Sequence, residues 1–334
     1  MPFRQLLEAY DAEADWALAE GNSGWNNTTR YASSAGKQWI LRIYETHRDP
    51  GKIRFEHEVL LALAGSALTF GIPVPRRNAE GETFVPLQDG SGRYACLFAY
   101  LEGERPDGQS PRTAYAVGEA VGQLSDALRG VSPQVSPAYP PYYELDKAHP
   151  SCSLARVAAF CVDPPQTLRH LRGELATLAD GLARLRADLP AMRSLPHQLV
   201  HGDINDSNLL AELEDRHRIA AVLDFEFCTR DVRAMEPAVV ISGMLGQEGG
   251  RDAITAFARG YASVVRLGSA EADAIVPLIR LRKLDVFVHF LGRYLDGVDG
   301  ADVLLAQIPD AVSGLAELER EADFIRDCCH SHMV

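Results

Sequence analysis

The chain has 334 residues, 46% hydrophobic and 24% charged, with a formal net charge of −13. That length supports a sizeable core divided over two lobes, and the composition is that of an ordinary globular protein. The acidic balance, with a pI near 5.2, excludes a surface built to grip nucleic-acid phosphates and mildly favours a cationic ligand.

The opening Met-Pro-Phe-Arg-Gln has no basic-then-apolar leader, which fits a cytoplasmic protein. Across residues 3–20, Leu6, Leu7, Tyr10, Ala14 and Leu18 lie close to helical spacing. Gly21-Asn-Ser-Gly24 breaks that pattern, and Thr28-Thr-Arg-Tyr-Ala32 reads as a short strand. Gln38–Tyr44 is rich in β-formers and predicts another strand. Residues 54–64 predict a helix, with Phe55, Val59, Leu60 and Leu63 on one side. Gly71-Ile-Pro-Val-Pro75 must be extended, because each proline disfavours helix at the residue before it. Strands are expected at 83–87 and 94–100, split by Asp89-Gly-Ser-Gly92.

After Glu102-Gly-Glu104 the character turns helical. Ser110-Pro111 is an N-cap followed by a first-turn proline, and Ala114, Val117, Val121, Leu124 and Leu128 mark one face. The proline-rich stretch 132–150 lacks an apolar period and reads as a loop or linker. Leu168, Leu171, Leu175, Leu178, Leu182, Leu185 and Leu189 alternate spacings of three and four, which suits a core helix or a short coiled-coil dimer ended by Pro190. Further amphipathic segments follow residue 236, and Ile275–Leu291 is the most apolar of them. The expectation is an α+β chain with a strand-rich lobe over 1–101 and a mainly helical lobe over 102–334. No run of about 18 apolar residues occurs, so no membrane span is expected. The six cysteines are irregularly spaced, which suits reduced thiols.

The chemistry concentrates in two segments. Residues 200–208 read Val-His-Gly-Asp-Ile-Asn-Asp-Ser-Asn, and the apolar run Ile219–Leu223 ends in Asp224-Phe-Glu226. His201-x-Asp203-x-x-x-x-Asn208 has the spacing of a kinase catalytic loop, and Asp224-Phe-Glu stands where a metal-binding Asp-Phe-Gly would. Asp203 can orient an attacking hydroxyl and take its proton. Asn208 and Asp224 can offer hard oxygens to Mg2+, which keeps water and substrate phosphates in its shell. His201 is expected to be a scaffold residue of the loop rather than a proton shuttle.

With these motifs in order, the chain resembles the aminoglycoside phosphotransferase-like superfamily, small-molecule kinases with a protein-kinase-like fold. The resemblance implies a two-lobed kinase-like architecture, ATP and Mg2+ as cofactors, and a small-molecule hydroxyl acceptor. It places Asn26 and Asn27 at the nucleotide-covering loop and adenine contacts near Ala99 and Leu101. Arg42 falls where such kinases carry a phosphate-binding lysine. Arginine is permanently charged and can hold phosphate oxygens, so the role can survive the change. For the partner carboxylate on the following helix, Glu58 is the first choice and Glu56 the second. Arg-Ile-Tyr44, Gly-Ile-Pro-Val-Pro75, Leu-Glu-Gly-Glu-Arg-Pro106, Leu-Asp-Phe-Glu-Phe227 and Phe-Ala-Arg-Gly-Tyr261 are similar to the type II homoserine-kinase-like branch. The acceptor would then be a homoserine-like amino alcohol or an amino sugar, met by Asp206, Glu226, Asp285, His289, Arg293 and Tyr294. Glu226 could instead orient Asp224. Neither a nucleic-acid nor a membrane partner is expected, and the chain would act as a monomer or homodimer. Two other classes stay open: a non-catalytic nucleotide-binding pseudokinase, supported by Arg42, and a metal-dependent hydrolase using His201, Asp203 and Asp224.

Overall fold

The computed structural model describes residues 2–21, 27–45, 48–107 and 110–334. An antiparallel five-stranded sheet comes first, ordered β1-β2-β3-β5-β4. Its strands are β1 (Ala17–Glu20), β2 (Asn27–Ser34), β3 (Lys37–Tyr44), β4 (Phe84–Pro86) and β5 (Tyr94–Ala99). The two-residue period of β3 sends its side chains to opposite faces. Leu41 and Ile43 join a small core with Leu6, Leu7, Tyr10 and Trp16. Tyr44, Cys96 and Phe98 face the other way, into the main core with helix α2 (Pro50–Leu63). Arg42 shares the Tyr44 face by this alternation, so a charged residue is carried under the sheet toward the helical region.

The helical reading of residues 3–20 holds only for its first turns. Helix α1 spans Pro2–Glu8. The chain then turns, with Trp16 Nε1 donating to the Asp11 carbonyl at 3.0 Å. Ala17–Glu20 becomes an exposed edge strand on β2. Leu6, Leu7 and Tyr10 are buried because they cover the sheet, a demand that a helical pattern of this length satisfies equally well on paper.

The remaining helices are α3 (Pro111–Arg129), α4 (Leu145–Ala148), α5 (Leu154–Val162), α6 (Arg172–Met192), α7 (Met235–Met244), α8 (Gly250–Ala262), α9 (Ser269–Leu295) and α10 (Ala301–His332). None of the described helices is long and apolar enough to cross a membrane. The leucine seam of α6 is core: Leu175, Leu178, Leu182 and Leu185 are buried, and the helix packs on α5, α9 and α10. Leu168 and Leu171 belong to a preceding 3-10 stretch, and the helix continues past Pro190 to Met192. Helices α3 and α8 meet at glycines. A Cβ at Gly260 would lie 2.0 Å from the Tyr115 carbonyl oxygen, and one at Gly118 would lie 2.3 Å from that of Phe257. The six cysteines are buried and free.

Two short hairpin-like pairs frame the motif segments. Strand β6 (His197–Val200) pairs with β9 (Thr229–Val232), and β7 (Leu209–Ala211) pairs with β8 (Ile219–Val222). The extended segment after α2 docks here. Gly71 N–H donates to the Ala220 carbonyl at 2.8 Å, and Val222 N–H donates to the Gly71 carbonyl at 3.0 Å. The proline-rich stretch 132–150 is more than a linker, because Tyr139, Pro140, Tyr142, Ala148 and His149 wall a cavity beside Asp203.

Candidate active site

The loop after β6 is held by its own backbone and one buried carboxylate. Glu236, at the start of α7, accepts from His201 N–H at 2.6 Å and from Gly202 N–H at 3.2 Å. Burial pushes the Glu236 carboxyl above the usual range. Gly202 has φ +78°, a left-handed conformation that glycine adopts without a Cβ clash. The His201 ring is fully committed: Nδ1 accepts from Asp203 N–H at 3.2 Å, and Nε2 faces the Leu223 carbonyl at 2.9 Å. That pattern assigns the proton to Nε2. The ring therefore ties the loop to the strand that leads into Asp224.

Asn208 and Asp224 flank the same end of the paired strands β7 and β8. Leu223 N–H donates to the Asn208 carbonyl at 2.8 Å, closing the ladder at that end. Asn208 Nδ2 donates to the Asp203 carbonyl at 2.9 Å and to Asp203 Oδ2 at 3.2 Å. The amide nitrogen is thereby spent on the loop, and the amide oxygen is the atom available to a cation. Asp224 has φ +64°, a region that non-glycine residues seldom occupy and that holds strain at functional positions. Its Oδ1 is buried without a hydrogen-bond partner among the described residues, although Arg42 Nη1 lies 3.6 Å away. A buried carboxylate oxygen left unbonded is costly, and a divalent cation would satisfy it. The donor set fits Mg2+, which takes one or two protein oxygens and completes its shell with phosphate and water.

Above this cradle, Arg42 pairs with Glu56, Nη1 to Oε1 at 3.1 Å. Glu58, the first choice from sequence, does not meet Arg42. It accepts from the Gln134 and Val135 N–H groups at 2.7 and 3.2 Å. Two residues on a helix are about 200° apart, so only one of Glu56 and Glu58 can face the sheet. The buried face of α2 carries Ile53, Glu56, Leu60 and Leu63. A chain of hydrogen bonds fixes Glu56. Tyr44 Oη donates to Glu56 Oε2 at 3.1 Å, His57 Nε2 lies 3.1 Å from Tyr44 Oη, and His57 Nδ1 lies 2.7 Å from Thr83 Oγ1. Burial pushes the Glu56 carboxyl up, against the pull of Arg42. Burial also opposes the Arg42 charge, but Asp224 and Glu56 outweigh it and raise its pKa.

Asn26 lies outside the described residues. Asn27 is buried at the start of β2 and donates through Nδ2 to Glu226 Oε2 at 3.0 Å. Glu226 is thus a buried group on the Asn27 side of the site rather than a wall of the cavity. Ala99 ends β5, its N–H donated to the Val74 carbonyl at 3.1 Å. Leu101 follows in the segment leading to the helices.

The cavity beside Asp203 encloses 410 Å³ and takes one wall from α9. Asp285, His289 and Arg293 line it, as does Arg282. Asp285 is 2.7 Å from His149 Nε2. Burial lowers the His289 pKa to about 4. Arg293 holds Asp299 with both arms, at 2.5 and 2.9 Å. Besides Glu226, two more sequence candidates do not reach this space. Asp206 is exposed on a 3-10 turn, Asp206–Asn208, and borders a separate hollow with Arg105. That turn sends Asn208 inward and Asp206 outward. Tyr294 packs edge-on against Phe160, ring centroids 6.1 Å apart, one position round the helix from Arg293.

Sequence reasoning passed over Arg282, whose Nη2 sits 2.5 Å from Asp203 Oδ1. It also passed over Lys52, which stacks 3.8 Å above the Tyr139 ring and hydrogen-bonds its hydroxyl. Burial lowers the Lys52 pKa to about 8. The available signals were helical: Arg282, Asp285, His289 and Arg293 recur at spacings of three and four, and Lys52 precedes Glu56 by one turn.

Asp203, Asn208 and Asp224 thus lie on two neighbouring segments, and Asp203 opens onto the cavity. The chain belongs to the APH phosphotransferase enzyme family, whose profile matches residues 18–274. It is a small-molecule kinase of that family. It is 26% identical over 312 residues to a homoserine kinase of Sinorhizobium fredii, covering 90% of this chain and 86% of that protein. The fold is shared with a microcompartment-associated aminopropanol kinase, at a TM-score of 0.75 and 19% identity, covering 97% of this chain and 98% of the other. It is also shared with an amicoumacin kinase in complex with AMP-PNP and Ca2+, at a TM-score of 0.62 and 15% identity, covering 93% and 91%.

Proposed function

We propose that the protein transfers the γ-phosphoryl group of ATP, bound with Mg2+, to a hydroxyl of a small amino alcohol of the homoserine type. The observation that carries this reading is the position of Asp203, which touches Asn208 of the metal cradle on one side and lines the 410 Å³ cavity on the other. The homoserine and aminopropanol kinases among its relatives support the acceptor class.

The acceptor hydroxyl lies in the cavity against Asp203, which takes its proton as the oxygen attacks the γ-phosphorus. The new P–O bond forms as the bond to the β-phosphate oxygen breaks, and ADP leaves with that electron pair. Asn208 and Asp224 would hold Mg2+, which supplies positive charge to the phosphate oxygens. Arg42, braced by Glu56, steadies the phosphates, and Ala99 and Leu101 border the adenine. Asn27 and Glu226 fix the adjoining floor. The Arg42–Glu56 ion pair supports the catalytic reading over the pseudokinase alternative.

The test is ADP release, coupled to a spectroscopic readout, over homoserine, 3-amino-1-propanol, ethanolamine and an aminoglycoside. Turnover with a small amino alcohol is expected. Nucleotide binding without turnover on any acceptor would replace this reading with the pseudokinase.

A further inference from the structure

Asp203 is not free to act as a base in this structure. Its Oδ1 is held by Arg282 Nη2 at 2.5 Å and its Oδ2 by Asn208 Nδ2 at 3.2 Å. The Asn208 contact belongs to the loop. The Arg282 contact comes from a helix across the cavity, and Arg282 itself faces the space where an acceptor binds. Its second anchor is independent of Asp203: Nη1 donates to Tyr142 Oη at 3.0 Å, and Tyr142 Oη donates to the Gly202 carbonyl at 2.7 Å. The guanidinium also lies over the Tyr142 ring, 5.8 Å from its centroid. One arm can therefore leave Asp203 while the other stays on Tyr142.

The other charges on this face of α9 have partners that the reaction does not require. Asp285 has His149, and Arg293 has Asp299. The Arg282–Asp203 pair joins a charged group of α9 directly to the base. We infer that Arg282 reads the acceptor: a carboxylate on the acceptor draws its guanidinium off Asp203 and releases the base, and an acceptor without a carboxylate leaves the base covered. Arginine suits this task because its planar fork binds carboxylates in two-pronged fashion. Asp285, three residues on and on the same helix face, supplies the anion for an ammonium group. The acceptor class is then a hydroxy amino acid, its carboxylate on Arg282, its ammonium near Asp285 and its hydroxyl at Asp203. The proton and phosphoryl group move as in the transfer above. The inference rests on the kinase reading and narrows it.

The test compares homoserine with 3-amino-1-propanol, which is the same carbon chain without the carboxylate, on the full-length protein with ATP and Mg2+. Wild type is expected to favour homoserine in kcat/KM by roughly 100-fold, the scale of a charge-assisted hydrogen-bonding pair. Arg282→Met should raise the homoserine KM and bring that preference below about 10-fold. If Arg282 merely props Asp203, both acceptors fall together and the ratio stays, which overturns the inference. Arg282→Lys, which keeps the charge and loses the fork, should retain an intermediate preference. The wild-type ratio is decisive even if Arg282→Met fails to fold, because equal use of the two acceptors also overturns the inference. Absence of turnover on every acceptor overturns the kinase reading and this inference with it; turnover at an unchanged ratio overturns this inference alone.

Discussion

Residues 201–208 make most of their own geometry. Asp203 N–H reaches back to the His201 ring, Asn208 reaches back to the Asp203 carbonyl, and Gly202 supplies the left-handed turn. The cavity next to this loop is assembled from segments far apart in the chain. Tyr139 and Tyr142 come from the proline-rich stretch, Thr229 from β9, and Arg282, Asp285 and His289 from α9. A site whose contacts are local can be written as a motif. A site whose contacts are distant exists only after the core has formed. Reaction class and acceptor choice therefore have different physical addresses in this protein.

That contrast can be broken at four points. The largest expected effect is at the loop. Asp203→Ala should lower kcat by at least ~10²-fold, the usual contribution of a general base, whereas Asp206→Ala, on the outward side of the same loop, should stay within about twofold. Steady-state kinetics with circular dichroism on both variants checks this, and equal losses would remove the distinction between the inward and outward residues.

Next is the scaffold. Gly260→Ala places a methyl group against the Tyr115 backbone, which cannot give way as a flexible side chain can. A loss of roughly 2 kcal/mol, within the range for overpacking, should appear in urea denaturation. The catalytic loop, held by local bonds, should keep its kcat in the folded fraction.

A smaller effect is expected from pH. Burial raises the Asp231 pKa to about 7 even though the Tyr142 and Val232 N–H groups bond it. The folded state then holds this proton more tightly than the unfolded state, where the carboxyl titrates near 3.8. The resulting stabilisation is fully present below the unfolded value and is lost as pH rises through about 7. Asp231 should account for part of that loss. Melting curves from pH 4 to 8 should show wild type losing more stability than Asp231→Asn; parallel curves would mean that Asp231 is ionised throughout.

The smallest effect separates the two carboxylates of α2. Glu56→Gln should cut kcat/KM for ATP by roughly tenfold, the value of one charged hydrogen bond, and Glu58→Gln should change it by less than twofold. A nucleotide titration on each variant decides the matter. A larger loss for Glu58→Gln would restore the pairing first expected from the sequence.

Several features were legible before any coordinates. The strand expected over Gln38–Tyr44 and the helix expected over 54–64 are β3 and α2, and the N-cap and proline at Ser110-Pro111 open α3. The α6 seam was short enough to favour a core helix over a coiled coil, and packing on α9 and α10 makes it core. The choice between Glu56 and Glu58 was not legible, because both lie on one helix and only the rotation of α2 against the sheet selects between them. Residues 3–20 were misread as one helix because Leu6, Leu7 and Tyr10 cover the sheet from a short helix, and the later apolar positions are taken up by an edge strand.

By itself the sequence determined the chemistry of transfer. Asp203, Asn208 and Asp224, the proposed base and metal ligands, lie in two short segments that backbone bonds hold side by side. Tertiary structure decided the rest: that Glu56 braces Arg42, that Asp206 points away, and that Arg282 covers Asp203 from a helix packed across the cavity. The physical reason is range. Hydrogen bonds within a turn follow from chain geometry, while contacts between α9 and the loop depend on how the whole helical core packs, which no local pattern encodes.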